Sequence, residues 1–181
     1  MSLKELTKDL HHEAEITKFA QALLSGNISR EDYSAYLFQL VLIYELIEES
    51  CEQQGFLQNL KGVKRAYAIS QDFAEIVDDD RDYLMLPSAI EYYKYLLNLD
   101  ADPDRRHLIK AHMYVRHMGD LFGGQIIKKQ VAHVSSGKFY DFDNVAELKA
   151  AIRAELTDDL GDEARVAFQH AINIMRELYN E

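Results

Sequence analysis

Cysteine is all but missing from this sequence. Cys51 stands alone among 181 residues, which excludes an internal disulfide and fits a reducing compartment. Proline is nearly as scarce, at two, and glycine numbers eight; so few breakers favour long helices over a fold of strands and turns. Basic residues are outnumbered, 20 against 31 acidic, for a net charge of −11. A phosphate backbone needs a basic footprint, so nucleic acid is not expected as a partner. Long apolar runs are absent too. The richest, Tyr36 to Ile47, is interrupted by Gln39 and Glu45 and falls short of the roughly 20 residues that a membrane span requires. The opening MSLKELTKDLHHEAE is charged throughout and holds no apolar signal core. These absences predict a soluble, cytoplasmic protein with no membrane contact.

What is present predicts one all-α domain over residues 1–181, with 48% hydrophobic residues to supply its core. Ser2 and Glu5 form a capping-box pattern that opens a helix running to about Leu24, before Gly26. Ser29 caps a second helix to about Gln54, apolar most of the way round and therefore central and buried. A third is expected over about Val63–Val77, followed by a solvated acidic turn at 78–80, and a fourth from Pro87 to about Leu97. Asp102 and Pro103 would start a long fifth helix that ends at the SSG of 135–137. KFYDFD (138–143) reads as irregular or briefly extended, and two last helices follow, about Val145–Leu156 and Asp162–Tyr179.

Familiar catalytic templates are thin. The chain has no CxxC, HxxxH, HExxH or Glu-x-x-His pattern, so neither a zinc site nor a carboxylate di-iron site is expected. GDLFGGQ (119–125) lies in a helical stretch with no strand before it, which rules out a phosphate loop. Two helix faces stand out instead. Gly119, Gly123 and Gly124 fall within six positions of the fifth helix, each costing about 1 kcal/mol relative to alanine. At roughly 100° per residue, Gly119 and Gly123 share a face with Arg116 and Asp120. Such a face suits close helix packing, a kink, or something flat lying against bare backbone. On the first helix, His11 borders the apolar stripe among Lys4, Lys8, Glu15 and Lys18, a pattern that also fits a solvated face. Haem would use both faces: imidazole is a common axial donor, cations hold propionates, and glycines admit the ring.

The sequence resembles the haem oxygenases. Their distal-helix signature reads much like AHxYxRxxGDLxGGQxxKK, and residues 111–129 carry it. LKELTKDLHHEAE is similar to the family segment holding the proximal histidine; His11, followed by Ala14 and Glu15, has the matching spacing, whereas His12 does not. IYELIEE (43–49), SQDF (70–73), LKAAIR (148–153) and the terminal EARVAF…ELYNE align in order. Phe122 departs from the pattern, standing where the family often has serine.

The resemblance implies a helical bundle with haem b sandwiched between the first helix, bearing His11 as axial iron ligand, and a kinked, glycine-bearing distal helix. Lys4, Lys8, Tyr114, Lys149 and Arg153 would surround the propionates, Glu15 would flank His11, and Gly119, Gly123 and Phe168 would line the pocket. Asp120 would hold distal water, with Arg116 and Tyr44 as hydrogen-bond partners. The implied activity uses O2 to open haem to biliverdin, releasing carbon monoxide and ferrous iron. Its electrons would come from ferredoxin or a flavin-containing reductase docked on Lys4, Lys8, Lys18, Lys128, Lys129, Lys149 and Arg153, and a biliverdin-using enzyme would follow. A haem-binding carrier or sensor without turnover would use the same pocket. A relative that acts on thiamin-like substrates or holds two irons would need a catalytic cysteine or core Glu/His ligands that the sequence does not offer.

Overall fold

Thr7 and Thr17 divide what the sequence presents as one first helix. In the computed structural model, which describes residues 2–58 and 60–181, this region forms α1 (Leu3–Leu6), α2 (Lys8–Glu15) and α3 (Lys18–Ser25). Thr7 turns its hydroxyl back onto the Leu3 carbonyl at 2.8 Å, a local bond by which threonine competes with continued helix. Thr17 leaves helical geometry (φ −59, ψ 147) and caps α3 by accepting from Ala20 N. Neither break involves glycine or proline. The capping box at Ser2 and Glu5 forms as expected, and α3 ends at Gly26 in the left-handed region.

Helix α4 (Arg30–Gln53) is the central element, with Leu37, Leu40, Ile43, Ile47 and Cys51 wholly buried. Burial pushes the Cys51 thiol up to about 12, so it is an inert core residue. Around α4 pack α5 (Ala66–Ile76), α6 (Pro87–Ala101) and α7 (Ile109–Gln130). The Glu48 carboxylate of α4 accepts from Arg65 N and Ala66 N, which sets the start of α5 three residues later than the sequence suggests. Residues 78–80 form the expected exposed turn. Helix α6 continues past Leu97 because Leu99 is needed in the core.

Helix α7 starts late. Asp102 accepts from Asp104 N at 3.0 Å in a turn of its own, and a 3-10 turn over Arg106–Leu108 precedes Ile109. The helix then runs unbroken through all three glycines and stops at Gln130, five residues before Ser135. Asp72 fastens the returning chain by accepting from Lys138 N and Phe139 N, each at 2.9 Å; residues 138–140 form a 3-10 turn. Helix α8 (Val145–Ala154) leans on α7, and α9 (Gly161–Leu178) packs against α1, α2, α3, α6 and α7. Among the described residues there is no strand, and no helix is long and apolar enough to cross a membrane.

Candidate functional site

The glycines of α7 serve two different purposes. A Cβ added at Gly119 would meet nothing within 4 Å, and one at Gly123 would meet only Ile127 Cδ1, at 3.7 Å. At Gly124 it would stand 2.8 Å from Tyr140 Cδ1. Gly124 therefore admits a buried tyrosine, whereas Gly119 and Gly123 keep an outer strip of backbone open. Phe122 and Ile126, 52% and 55% exposed, extend that strip into an apolar wall.

Beside the strip lies Asp120, partly buried. Tyr44, fully inside α4, donates its hydroxyl to Asp120 Oδ2 at 2.8 Å. Burial pushes the Asp120 carboxyl up to about 6, although His117, Tyr44 and Arg116 all favour its ionised form. One turn earlier, Arg116 is 7% exposed, with its guanidinium 5.7 Å above the Tyr44 ring and 5.8 Å from that of Tyr92. Desolvation opposes its charge, yet the surrounding tyrosines and Asp120 hold its pKa above the ordinary value. Its Nε and Nη2 have no hydrogen-bond partner among the described residues. A buried donor left unmade costs about 1–3 kcal/mol, so these two are suited to an acceptor such as ordered water.

His11 lies on α2, not on one long first helix. It is exposed, with Nδ1 3.6 Å from Glu15 Oε1 one turn on and its ring edge-on to Phe168 at 6.0 Å. Leu3 and Leu10 share a core cluster with Ala111 and Val115 of α7 and Phe168 of α9. The histidine helix and the distal helix thus meet over the same stretch of α9. Lys18 drops out of the expected lysine face, because the break at Thr17 places it on α3.

The remaining cations are arranged unevenly. Lys4 and Lys8 are exposed on α1 and α2. Lys149 Nζ sits 3.8 Å from the Phe122 ring centroid and Arg153 Cζ 5.4 Å from it. Tyr114 joins this rim: burial pushes its pKa up, and the charge of Arg153 opposes the shift. Lys128, expected among the docking cations, is instead paired with Asp141.

Sequence reasoning missed two buried polar clusters. His117 Nε2 lies 2.8 Å from Glu48 Oε1; the one signal was an acid among the apolar positions of the most buried helix. His112 accepts from Tyr92 at Nδ1 (2.8 Å) and donates from Nε2 to Glu163 Oε1 (2.9 Å), and Tyr95 also donates to that oxygen. Those partners lie 20 and 51 residues away in the chain, and no local pattern announces them.

The sequence profile of the family described as "Heme oxygenase" matches residues 1–177. This chain belongs to the haem oxygenase family. Rat "Heme oxygenase 1" is 30% identical over 203 residues, spanning 98% of this chain and 70% of the relative. Macaque (Macaca fascicularis) "Heme oxygenase 2" is 29% identical over 202 residues, so that this chain, 97% covered, spans only 64% of that relative's length. In fold, the chain is similar to haem oxygenase-1 of the cyanobacterium Synechocystis, solved in complex with haem, with a TM-score of 0.84, 23% identity and coverage of 98% and 90%. It is likewise similar to the haem oxygenase of Leptospira interrogans, with a TM-score of 0.83, 24% identity and coverage of 98% and 100%. Haem oxygenase architecture therefore accounts for the whole helical arrangement.

Proposed function

We propose that this protein is a haem oxygenase that takes up haem b and, with O2 and electrons from an external donor, opens it to biliverdin, carbon monoxide and ferrous iron. The observation that carries this reading is the Tyr44–Asp120 pair and the two free donors of Arg116, set beside the open backbone at Gly119. The residues fit the group. Haem, when bound, supplies both the iron that activates O2 and the ring carbon that is oxidised.

The chain supplies the rest. His11 would hold the iron through Nε2, because Nδ1 faces the Glu15 carboxylate one turn on, at 3.6 Å. Phe168, edge-on to His11, would pack against the proximal face. Lys4, Lys8, Tyr114, Lys149 and Arg153 would bind the two propionates. Gly119 and Gly123 would let a flat ligand lie close to the α7 backbone, with no Cβ in the way. Asp120, held at Oδ2 by Tyr44, would orient a water and pass a proton through it, and a carboxyl pKa of about 6 suits that exchange near neutral pH. Arg116 Nε and Nη2 would anchor the same water.

Electrons would come from ferredoxin or a flavin-containing reductase; against a body of net charge −11, an acidic donor would be steered to the side that carries Lys4, Lys8, Lys149 and Arg153. A biliverdin-using enzyme would take the product. The buried, high-pKa thiol of Cys51 is compatible with a cytoplasmic setting.

The test is hemin titration followed by turnover with O2 and a reductant, with chromatography of the product. The expected result is stoichiometric binding, loss of the Soret band and appearance of biliverdin. Asp120→Ala should still bind hemin yet yield about 100-fold less biliverdin. A Soret band that persists through wild-type turnover would make the protein a carrier or sensor.

A further inference from the structure

Phe122 is large, apolar and half outside the protein, yet two cations rest on it. Lys149 Nζ lies 3.8 Å and Arg153 Cζ 5.4 Å from its centroid. These residues are four apart, one turn on α8, so their like charges face the same way and repel. The negative face of the aromatic ring offsets that repulsion. Neither cation has a carboxylate partner among the described residues, although the chain has 31 acidic side chains. Arg153 also acts on the Tyr114 hydroxyl, which adds a neutral donor to the same rim. Phe122 itself stands between Gly119 and Gly123, at the edge of the open strip.

We propose that Phe122 is a positioning residue that seats Lys149 and Arg153 side by side as a clamp for the two carboxylates of a flat dianionic ligand. This rests on the haem reading above and deepens it. The clamp fixes the rotation of the macrocycle in its own plane, and so which ring edge faces Gly119. Lys4 and Lys8, which have no such support, contribute attraction without orientation.

Soret titration separates this role from that of a plain apolar wall. Hemin and hemin dimethyl ester, whose carboxylates are capped, are titrated into the wild type, Phe122→Leu, Phe122→Tyr, Lys149→Met and the Phe122→Leu/Lys149→Met double variant. Phe122→Leu should weaken hemin about three- to tenfold and leave the diester nearly unchanged. Phe122→Tyr, which keeps the ring, should behave as wild type. Phe122→Leu should cost less in the Lys149→Met background than in the wild type, because one of the two cations that the ring seats is already gone. The isomer distribution of the biliverdin formed by Phe122→Leu should broaden. Equal loss of both ligands in Phe122→Leu, or no loss of either, overturns the inference while leaving the haem reading intact. A wild type that takes up neither ligand sinks both.

Discussion

Two neighbouring turns of α7 carry buried polar side chains with opposite bookkeeping. At His112 every group is satisfied: the imidazole accepts from Tyr92, donates to Glu163, and Glu163 accepts again from Tyr95. At Arg116 and Asp120 the network is left open. Arg116 keeps two buried donors without partners, and Asp120 has a hydrogen bond from Tyr44 to one oxygen only. Arg116 stands between the two, against the rings of Tyr92 and Tyr44 alike. A closed network fixes helices α6, α7 and α9 to one another, since any loosening would strand a polar group. An open one costs stability and is retained where something from outside completes it. The contrast separates scaffold from site without reference to any relative.

The sharpest way to break that contrast is His112→Leu. Wholly buried, His112 is held neutral by burial, which lowers its pKa. Burial raises the Glu163 pKa, but bonds from His112 and Tyr95 prevail and hold it below the ordinary value. Leucine would leave Glu163 and the Tyr92 hydroxyl short of a partner, at a cost of about 3 kcal/mol. Urea unfolding should show that loss, and the axial spectrum of bound hemin should stay as in wild type because the ligand proposed for the iron, His11, lies on α2. A stable variant with a changed spectrum would reverse the assignment of scaffold and site.

The two regions also differ in how protons affect them. Burial raises the Asp120 pKa to about 6 from an ordinary 3.8. Between those values the folded state binds more protons than the unfolded, so this term lowers stability as pH rises. His170, stacked on Tyr92 at 4.6 Å, runs the other way: burial lowers its pKa to about 4 from 6.5. There the unfolded state binds more protons, and stability rises with pH across that window. In the wild type the two slopes offset each other from about pH 4 to 6. Asp120→Asn removes the falling term. It should raise stability at pH 7 by up to about 3 kcal/mol and leave a profile that climbs steadily from pH 4 to 6.5, read from urea midpoints. An unchanged profile would mean that Asp120 carries no such strain.

Most of the fold is legible in the sequence because it follows from apolar period and local caps. Ser29 starts α4 and Gly26 closes α3 where a single-sequence reading puts them. The reading fails where side chains act at close range against the period: Thr7 interrupts an apolar stripe that runs on from Leu3 to Ala14, and Thr17 caps a separate helix. It fails again where distant partners decide a boundary, as Glu48 does for α5. Of the site, the spacing of Gly119, Asp120 and Gly123 is visible because glycine inside a helix is conspicuous. Tyr44 is not, being one of 11 tyrosines, and only the resemblance singled it out. The free donors of Arg116 appear only once α4 and α6 are packed around it.

The finest comparison lies within the glycines themselves. Alanine in place of helical glycine stabilises by about 1 kcal/mol where there is room for the methyl group. At Gly119 there is room, since nothing stands within 4 Å of the added carbon. Gly119→Ala should therefore melt later than wild type and bind hemin more weakly, because the methyl group would occupy the strip proposed for the ring. At Gly124 the added carbon meets Tyr140 at 2.8 Å. Tyr140 is 1% exposed and stacked on Phe139, so it cannot retreat cheaply. Overpacking of this kind costs about 1–3 kcal/mol, enough to cancel the helical gain, and Gly124→Ala should melt earlier. Thermal melts and Soret titrations of both variants read the two effects together. Opposite signs in stability, with the hemin penalty larger at Gly119, would show that one glycine keeps space open for a ligand and its neighbour makes room for a side chain; matching behaviour would collapse the distinction.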